Sequence, residues 1–183
     1  MQIISGTLRA RKLALPVGAR PTQNMARGAV FNMLAGILAV NDTIVAWDAF
    51  AGSGALGIET LSRYANSTVI FTDISANSIG AIRKNTAAIA ANRICIVMTD
   101  AQSVIKKYGM RSNLIFVDPP YENAHVGIGF VEKLANFVAP GTVVVQEIEK
   151  IVPYTFDMTK WEVLRDKTYG RARFLILQRN DEK

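Results

Sequence analysis

From residue 43 onward, the chain alternates short apolar runs with amphipathic stretches. Continuous apolar runs rich in β-branched residues predict buried strands, and the stretches between them have the spacing of amphipathic helices. The predicted strands are Ile44–Asp48, Ser67–Thr72, Ile94–Met98, Leu114–Val117 and Thr142–Glu147. The predicted helices are Gly54–Arg63, Ser75–Ala91 and His125–Phe137. Ser75 is positioned to cap the second of these helices.

The end of the chain has a different pattern. The apolar runs Glu162–Tyr169 and Ala172–Arg179 meet at Gly170 with no room for a helix between them, which predicts an antiparallel hairpin. The earlier strands, separated by helices, predict a parallel sheet that is covered on both faces. The expected fold class is therefore α/β and Rossmann-like, with a mostly parallel seven-stranded sheet and a C-terminal antiparallel hairpin.

The first 41 residues precede this alternation. Gln2–Leu15 alternates weakly around Gly6, which predicts a short hairpin or arm. A helical pattern follows Thr22, which is a candidate N-cap. Its apolar positions are Ala26, Ala29, Val30, Met33, Leu34 and Ile37. We expect one domain over residues 1–183, in which residues 1–41 form the arm and a first helix and residues 42–183 form the core.

Positive charge is concentrated in this N-terminal segment. The chain carries a net charge of +6, and no acidic residue precedes Asp42. The cations before that point are Arg9, Arg11, Lys12, Arg20 and Arg27. Such a segment is typical of proteins that bind a polyanion, although a solvated surface explains the charge alone equally well. The candidate nucleic-acid contacts are Arg9, Arg11, Lys12 and Arg20.

Composition narrows the class of protein. The chain has 183 residues, 50% of them hydrophobic and 20% charged, which indicates a globular domain. The lone cysteine, Cys95, lies in an apolar strand where we expect it to pack, and it fits a reducing compartment. With a single histidine, His125, no metal site is expected. No apolar run reaches the roughly 18 residues of a membrane span, and the basic N-terminus does not resemble a signal peptide. We expect a cytoplasmic monomer with no membrane partner.

A glycine-rich loop follows the first predicted strand. Its sequence, Asp48–Gly57 (DAFAGSGALG), places Gly52 and Gly54 where the backbone turns and where a ligand approaches it. Open α/β sheets bind ligands at this end of their parallel strands. Asp73, at the end of the second strand, is placed to accept hydrogen bonds from both ribose hydroxyls of an adenosine.

The glycine spacing also fits the dinucleotide fingerprint, so an NAD-dependent enzyme is an alternative. Asp48 argues against it, because its carboxylate would repel a pyrophosphate on this loop and attract the ammonium group of a methionine moiety. Asp100, which follows the third strand, is placed to contact an adenine amino group. A helix N-cap is the competing role for Asp100.

The most specific motif is Asp118-Pro119-Pro120-Tyr121, directly after the fourth strand. The prolines remove backbone donors, which leaves the Asp118 carboxylate and the Pro119 carbonyl as acceptors. Two acceptors can hold both hydrogens of a base amino group and free its lone pair to attack a methyl group on a sulfonium, and this alignment is the main catalytic contribution. Tyr121 can stack on the extruded base. A rigid turn capped by the aspartate is the alternative role of the motif.

These motifs join others into one pattern: Ile3–Arg11 (IISGTLRAR), Arg20–Thr22 (RPT), Phe31-Asn32, Asp48–Arg63 (DAFAGSGALGIETLSR) and Asp118–Tyr121 (DPPY). On this pattern the chain resembles, over essentially its full length, the RsmD-type 16S rRNA (guanine-N2)-methyltransferase family. The glycine loop is common to many methyltransferases, and the DPPY motif to amino-methyltransferases generally. The N-terminal pattern is the part that discriminates.

The resemblance implies a class I methyltransferase fold and transfer of a methyl group from S-adenosylmethionine to the exocyclic N2 of a guanine. The implied partner is 16S rRNA, in an assembled or partly assembled small ribosomal subunit. The matching cofactor positions are Asp48, Gly52 and Gly54 at the methionine end, Asp73 at the ribose and Asp100 at the adenine. Asp118–Tyr121 would hold the target guanine.

Three positions depart from the family pattern. Asn24 stands where an acidic residue is usual, Gly28 where a glutamate is usual, and Tyr64 where a glycine is common. If a glutamate at position 28 orients a neighbour near the cofactor, that contact is lost here.

Two further alternatives share the scaffold. A DNA adenine-N6 methyltransferase uses the same DPPY chemistry, but it usually needs a sequence-reading domain for which 183 residues leave no space. A non-catalytic RNA-binding protein would keep the fold and the basic arm without transferring a methyl group.

Overall fold

The computed structural model describes residues 1–16, 24–120 and 124–181. The helices in these ranges are α1 (Asn24–Leu34), α2 (Ala55–Arg63), α3 (Ala76–Thr86), α4 (Ile105–Gly109) and α5 (Ala124–Leu134). The strands are β1 (Ile44–Asp48), β2 (Ser67–Asp73), β3 (Ile94–Met98), β4 (Leu114–Val117), β5 (Val143–Glu149), β6 (Trp161–Tyr169) and β7 (Ala172–Arg179). Short 3₁₀ turns, Ala91–Arg93 and Ala101–Val104, flank β3.

The strands form one seven-stranded sheet in the order β3-β2-β1-β4-β5-β7-β6. Strands β1 to β5 are parallel, whereas β7 runs antiparallel to both β5 and β6. The predicted fold class is therefore confirmed, including the C-terminal hairpin. The chain reverses its direction of travel across the sheet between β1 and β4, and such a switch point opens a crevice at the carboxyl ends of the strands.

Each face of the sheet carries its own hydrophobic core. On one face the N-terminal residues, α1, α2 and α3 pack through side chains such as Ile3, Phe31 and Ile58. On the other face α4 and α5 pack around Trp47 and Phe130, whose rings lie 5.4 Å apart. Helices on both faces explain why the central strands are apolar on both sides.

Most predicted boundaries of helices and strands are right to within two residues. Helix α3 is an exception, because it ends at Thr86, five residues before the predicted end at residue 91. Arg93 supplies the reason. Its guanidinium donates to the carbonyl oxygens of Leu61, Tyr64 and Ser67 at 2.9–3.1 Å, which draws the chain toward the start of β3. Ser75 caps α3 as predicted, since its hydroxyl accepts from the Ser78 N–H at 3.4 Å.

The exposure of Cys95 was predicted wrongly, one helix was not predicted, and one predicted N-cap is untested. Cys95 is exposed and not packed, because β3 is an edge strand of the sheet. The sequence pattern also missed α4, a single turn packed against α5. The predicted N-cap, Thr22, lies outside the described residues.

The N-terminal arm, residues 1–16, is a hairpin closed by an antiparallel bridge between Gln2 and Lys12. It lies on α2, where the Ser62 hydroxyl accepts from the Leu8 N–H at 2.9 Å. Gly6 has φ 83°, and a Cβ there would stand 2.0 Å from the Ser62 carbonyl oxygen. The bend predicted at Gly6 is therefore confirmed, and only glycine fits it.

A buried carboxylate on α2 holds the arm to the core. Glu59 is fully buried and accepts from the Ile4 N–H at 2.9 Å and the Ser5 N–H at 3.0 Å. It also accepts from Arg63 Nε at 2.8 Å and lies 3.7 Å from Arg27 Nε. Burial lowers the pKa of the Arg27 guanidinium, and the Glu59 charge opposes that shift.

We predict that Glu59→Gln lowers the free energy of unfolding by about 3–5 kcal/mol, because it removes the charge that offsets a buried Arg27. Urea denaturation measures the loss. Glu162→Gln, at an exposed position of β6, is the matched control and should change little. A loss no larger than that of the control would show that the Glu59 charge does not anchor the arm.

Candidate functional site

Four aspartates follow four neighbouring parallel strands at the same edge of the sheet. Asp48 ends β1, Asp73 ends β2, Asp100 comes two residues after β3, and Asp118 directly follows β4. The strand order places them in the sequence Asp100, Asp73, Asp48, Asp118 across the edge. Neighbouring strands lie about 4.8 Å apart, so the row spans roughly 14 Å.

The glycine loop occupies the middle of this row. Gly52 and Gly54 have φ values of 54° and 76°, in the left-handed region that favours glycine. Among the described residues, apart from Gly52 and its two chain neighbours, no heavy atom lies within 4 Å of the position that a Cβ on Gly52 would take. The loop is therefore turned sharply and leaves open space beside its backbone. The predicted role of both glycines in the turn is confirmed.

Asp48 is buried beneath the loop. It is 2% exposed, and its Oδ2 accepts from the Gly57 N–H at 3.0 Å. Burial raises the pKa of Asp48 to about 7, the Gly57 hydrogen bond opposes the shift, and the nearby Asp73 charge adds to it. A cation placed beside such a buried carboxyl group stabilises its charged form.

Asp73 joins the loop to α3. Its Oδ2 accepts from the Gly52 N–H and its Oδ1 from the Ser75 N–H, both at 2.8 Å. Each carboxylate oxygen can accept a second hydrogen bond, so the pair can also receive two hydroxyl groups. Ile74, the next residue, is 74% exposed and offers an apolar surface beside the carboxylate. Sequence reasoning missed Ile74, although an aliphatic residue after a strand-end acid was visible.

Asp100 acts as an N-cap. Its Oδ1 accepts from the Gln102 N–H at 3.1 Å at the start of the 3₁₀ turn, so the competing role named for it is confirmed. The side chain is exposed at the β3 end of the row. Its predicted contact with an adenine stays a prediction.

The DPPY motif lies at the other end of the row. Asp118 is half-buried, Pro119 is buried and Pro120 is exposed, while Tyr121 lies outside the described residues. Helix α5 packs against the Pro119 ring at Gly127, where a Cβ would stand 2.8 Å from Pro119 Cγ. Sequence reasoning missed Gly127, because only the folded structure brings the helix to the proline.

A buried amide lies next to this contact. Gln146 on β5 pairs in register with Val117 and is 0% exposed. Neither of its amide atoms has a hydrogen-bond partner among the described residues. Its Nε2 is 3.5 Å from the position of a Cβ on Gly127. A polar residue within the apolar run of β5 was the available signal in the sequence.

The arm presents its cations to solvent. Arg9 and Lys12 are exposed and Arg11 is half-buried, and none of the three has an ion pair in the part of the chain that the structure describes. Arg20 lies outside those residues. Arg27 is buried against Glu59 and also donates to the Gln2 carbonyl oxygen, so it serves the core.

The structure describes the surroundings of two of the three positions that depart from the family pattern, Gly28 and Tyr64. The position of a Cβ on Gly28 is 3.6 Å from Ile4 Cδ1, an ordinary contact distance. Tyr64 is buried at the end of α2. The side chain of Asn24 is not among those described.

Among the described helices, none has the length and apolar character to cross a membrane. The same residues contain no group of three or more His, Cys, Asp or Glu side chains placed to hold a metal ion.

We predict that Gly127→Ala costs about 1–3 kcal/mol of unfolding free energy, because the new methyl group overlaps the Pro119 ring. Gly129→Ala is the matched control on the same helix, since no other part of the described chain beyond the local helix backbone comes within 4 Å of its Cβ position. That control should gain up to about 1 kcal/mol from helix propensity. Thermal unfolding compares them, and equal effects of the two changes would refute the close packing.

Asp48 predicts a pH dependence of stability. Between the ordinary pKa of 3.8 and about 7, folded Asp48 holds a proton that the unfolded chain has lost. The free energy of unfolding therefore falls as pH rises through that window and levels off above it. Asp48→Asn should abolish this component, whereas exposed Asp181→Asn should keep it. Urea denaturation at several pH values measures the slope, and matching profiles of parent and Asp48→Asn would contradict the expectation.

Solved structures share this architecture. The Escherichia coli protein yhhF superposes with a TM-score of 0.80 at 30% identity, covering 100% of this chain and 99% of that one. An RNA methyltransferase from Salinibacter ruber in complex with S-adenosyl-L-homocysteine superposes with a TM-score of 0.65 at 19% identity, covering 90% and 96%. The second likeness shows the fold alone, which is that of class I methyltransferases.

Sequence relatives extend over nearly the whole chain. The ribosomal RNA small subunit methyltransferase D of Escherichia coli K12 is 33% identical, over 98% of this chain and 90% of the relative. The protein of the same name from Haemophilus influenzae is 27% identical, over 97% and 93%. A family model described as Conserved hypothetical protein 95 matches residues 1–178. On this evidence the chain belongs to the RsmD family, that of ribosomal RNA small subunit methyltransferase D.

Proposed function

We propose that the protein transfers a methyl group from S-adenosylmethionine to the exocyclic N2 of a guanine in the 16S rRNA of the small ribosomal subunit. Family membership and fold support a methyltransferase that acts on ribosomal RNA. The observation that carries the proposal is the row of four aspartates, with the glycine loop at its middle and Asp118-Pro119-Pro120 at its end.

The residues of the row fit the proposed cofactor. Asp73 can accept from both ribose hydroxyls, with Ile74 against the adenine and Asp100 near its amino group. Asp48 lies beside the methionine ammonium, which would favour its ionised form. Gly52 leaves the space that a cofactor needs, and Gly54 holds the turn. NAD fits less well, because its pyrophosphate would lie over Asp48.

The target amino group belongs at the Asp118 end. When bound, S-adenosylmethionine supplies an electrophilic methyl group on a positively charged sulfur. Asp118 and the Pro119 carbonyl oxygen each accept one hydrogen of the guanine amino group, which turns the nitrogen lone pair toward that methyl group. A carbon–nitrogen bond forms as the carbon–sulfur bond breaks, and the surplus proton on nitrogen leaves past Asp118 to water. Tyr121 would stack on the extruded base.

The arm would bind the RNA backbone through Arg9, Arg11 and Lys12, together with Arg20, which follows the arm in the sequence. Contacts of this kind release counterions, so binding should weaken steeply with salt. We propose that the arm and first helix, residues 1–41, and the core, residues 42–183, act as one domain. The protein would work as a cytoplasmic monomer, without a metal, on an assembled or partly assembled subunit.

We predict that Asp118→Ala lowers kcat at least about hundredfold, because one of the two groups that hold the amino nitrogen is gone. The affinity for S-adenosylhomocysteine should stay within about threefold, which isothermal titration calorimetry measures. Asp181→Ala, near the C-terminus and exposed, is the control and should leave both unchanged. An Asp118→Ala protein with the parent kcat would exclude this mechanism.

The substrate is tested with tritiated S-adenosylmethionine on small subunits, free 16S rRNA and DNA. Mass spectrometry of the digested nucleosides identifies the product, and N2-methylguanosine is expected. N6-methyladenine in DNA would favour the DNA enzyme instead. Binding of NAD without binding of S-adenosylhomocysteine would refute the cofactor, and RNA binding without any transfer would support a non-catalytic protein.

A further inference from the structure

One buried amide on α3 touches the arm and the glycine loop together. Asn85 is 4% exposed and lies in the last turn of the helix. Its Oδ1 accepts from the Ala14 N–H at 2.8 Å, and its Nδ2 donates to the Ala14 carbonyl oxygen at 2.9 Å. The same Nδ2 donates to the Ser53 carbonyl oxygen at 2.9 Å. Both amide hydrogens are therefore used, and they go to different segments of the chain.

The two bonds to Ala14 make the amide act as a strand partner for the arm. They satisfy both backbone polar groups of one residue, so the arm is held in position and in direction at that point. Ser53 lies between Gly52 and Gly54, the two left-handed residues of the loop. Because the amide is planar and buried, a displacement of either segment must strain or break the bond to the other.

Each segment also has attachments that do not involve Asn85. The loop is held by Asp73 through the Gly52 N–H, on the side that faces the aspartate row. The arm is held by Glu59 and Ser62 on α2. The Asn85 side chain is hydrogen-bonded to both segments.

We propose that Asn85 is a positioning residue that couples cofactor binding to RNA binding. This inference rests on the proposed function, in which the loop holds the cofactor and the arm holds the RNA. A ligand that orders one segment fixes the amide, and the fixed amide lowers the ordering cost of the other segment. The two ligands then bind with positive cooperativity, and each raises the affinity for the other by the same factor.

The test uses Asn85→Asp and Asn85→Ala, with Asn92→Asp as the matched control. Asn85→Asp keeps an acceptor for the Ala14 N–H but turns an oxygen toward two carbonyl groups. Asn92 is exposed in the 3₁₀ turn before β3. Isothermal titration calorimetry gives the Kd of S-adenosylhomocysteine with and without saturating small subunits from a strain that lacks the protein. We expect about a tenfold tightening in the parent and in Asn92→Asp, and almost none in either Asn85 variant.

Steady-state kinetics separates positioning from catalysis. Asn85 touches no reacting group in the proposed mechanism, so its variants should raise KM for both substrates while kcat at saturation stays near that of the parent. An equal loss in kcat and in kcat/KM would overturn the positioning role.

Hydrogen exchange tests the link in the unchanged protein, whether or not the variants fold. S-adenosylhomocysteine alone should slow exchange at the Ala14 N–H as well as in the loop. Protection confined to the loop would overturn the inference, as would parent binding of both ligands without cooperativity. A parent that binds neither ligand would instead refute the proposed function, and the inference with it.

Discussion

Parallel pairing of β1 with β2 on one side and with β4 on the other sets the positions of Asp48, Asp73 and Asp118 in the proposed site. The register places Asp48 beside Phe71 and Phe116, so the loops after three strands leave the sheet next to one another. The pairing continues past the strand end, where the Ala49 N–H donates to the Phe116 carbonyl oxygen at 3.1 Å. Main-chain hydrogen bonds thus build the frame, and the aspartates take their spacing from the distance between strands.

Helices α2 and α3 hold the backbone of the arm through polar groups, in addition to its apolar contacts. The arm contributes Ile3 and Leu13 to the core, and Met1 and Leu8 are partly buried against it. The arm is also held by hydrogen bonds from its backbone N–H groups to the side chains of Glu59, Ser62 and Asn85. Without these bonds the backbone groups would be buried without partners. Such bonds fix direction and register, whereas apolar contact alone would let the arm slide. The same helices pack their other faces on the sheet, so arm and site share one support.

Much of this arrangement was predictable from the sequence, since strand ends and acidic positions are local features. Asp48 and Asp73 follow their strands as expected, and the fold class follows from the alternation of elements. The predictions were wrong where residues that are distant in sequence determine the local structure. The end of α3 depends on Arg93, and the exposure of Cys95 depends on a strand order that periodicity does not contain. The close contact of Gly127 with Pro119 could not be predicted, because it depends on how the fold packs α5 against the loop after β4.

The contacts of the arm have a consequence for folding. Its backbone amides at Ile4, Ser5 and Leu8 find their partners more than 50 positions later, and that of Ala14 finds its partner 71 positions later. The arm therefore has its full set of backbone partners only after both α2 and α3 have formed. Pairing over such separations is slow, because loop closure must come first. We therefore expect the arm to dock on α2 and α3 late in folding.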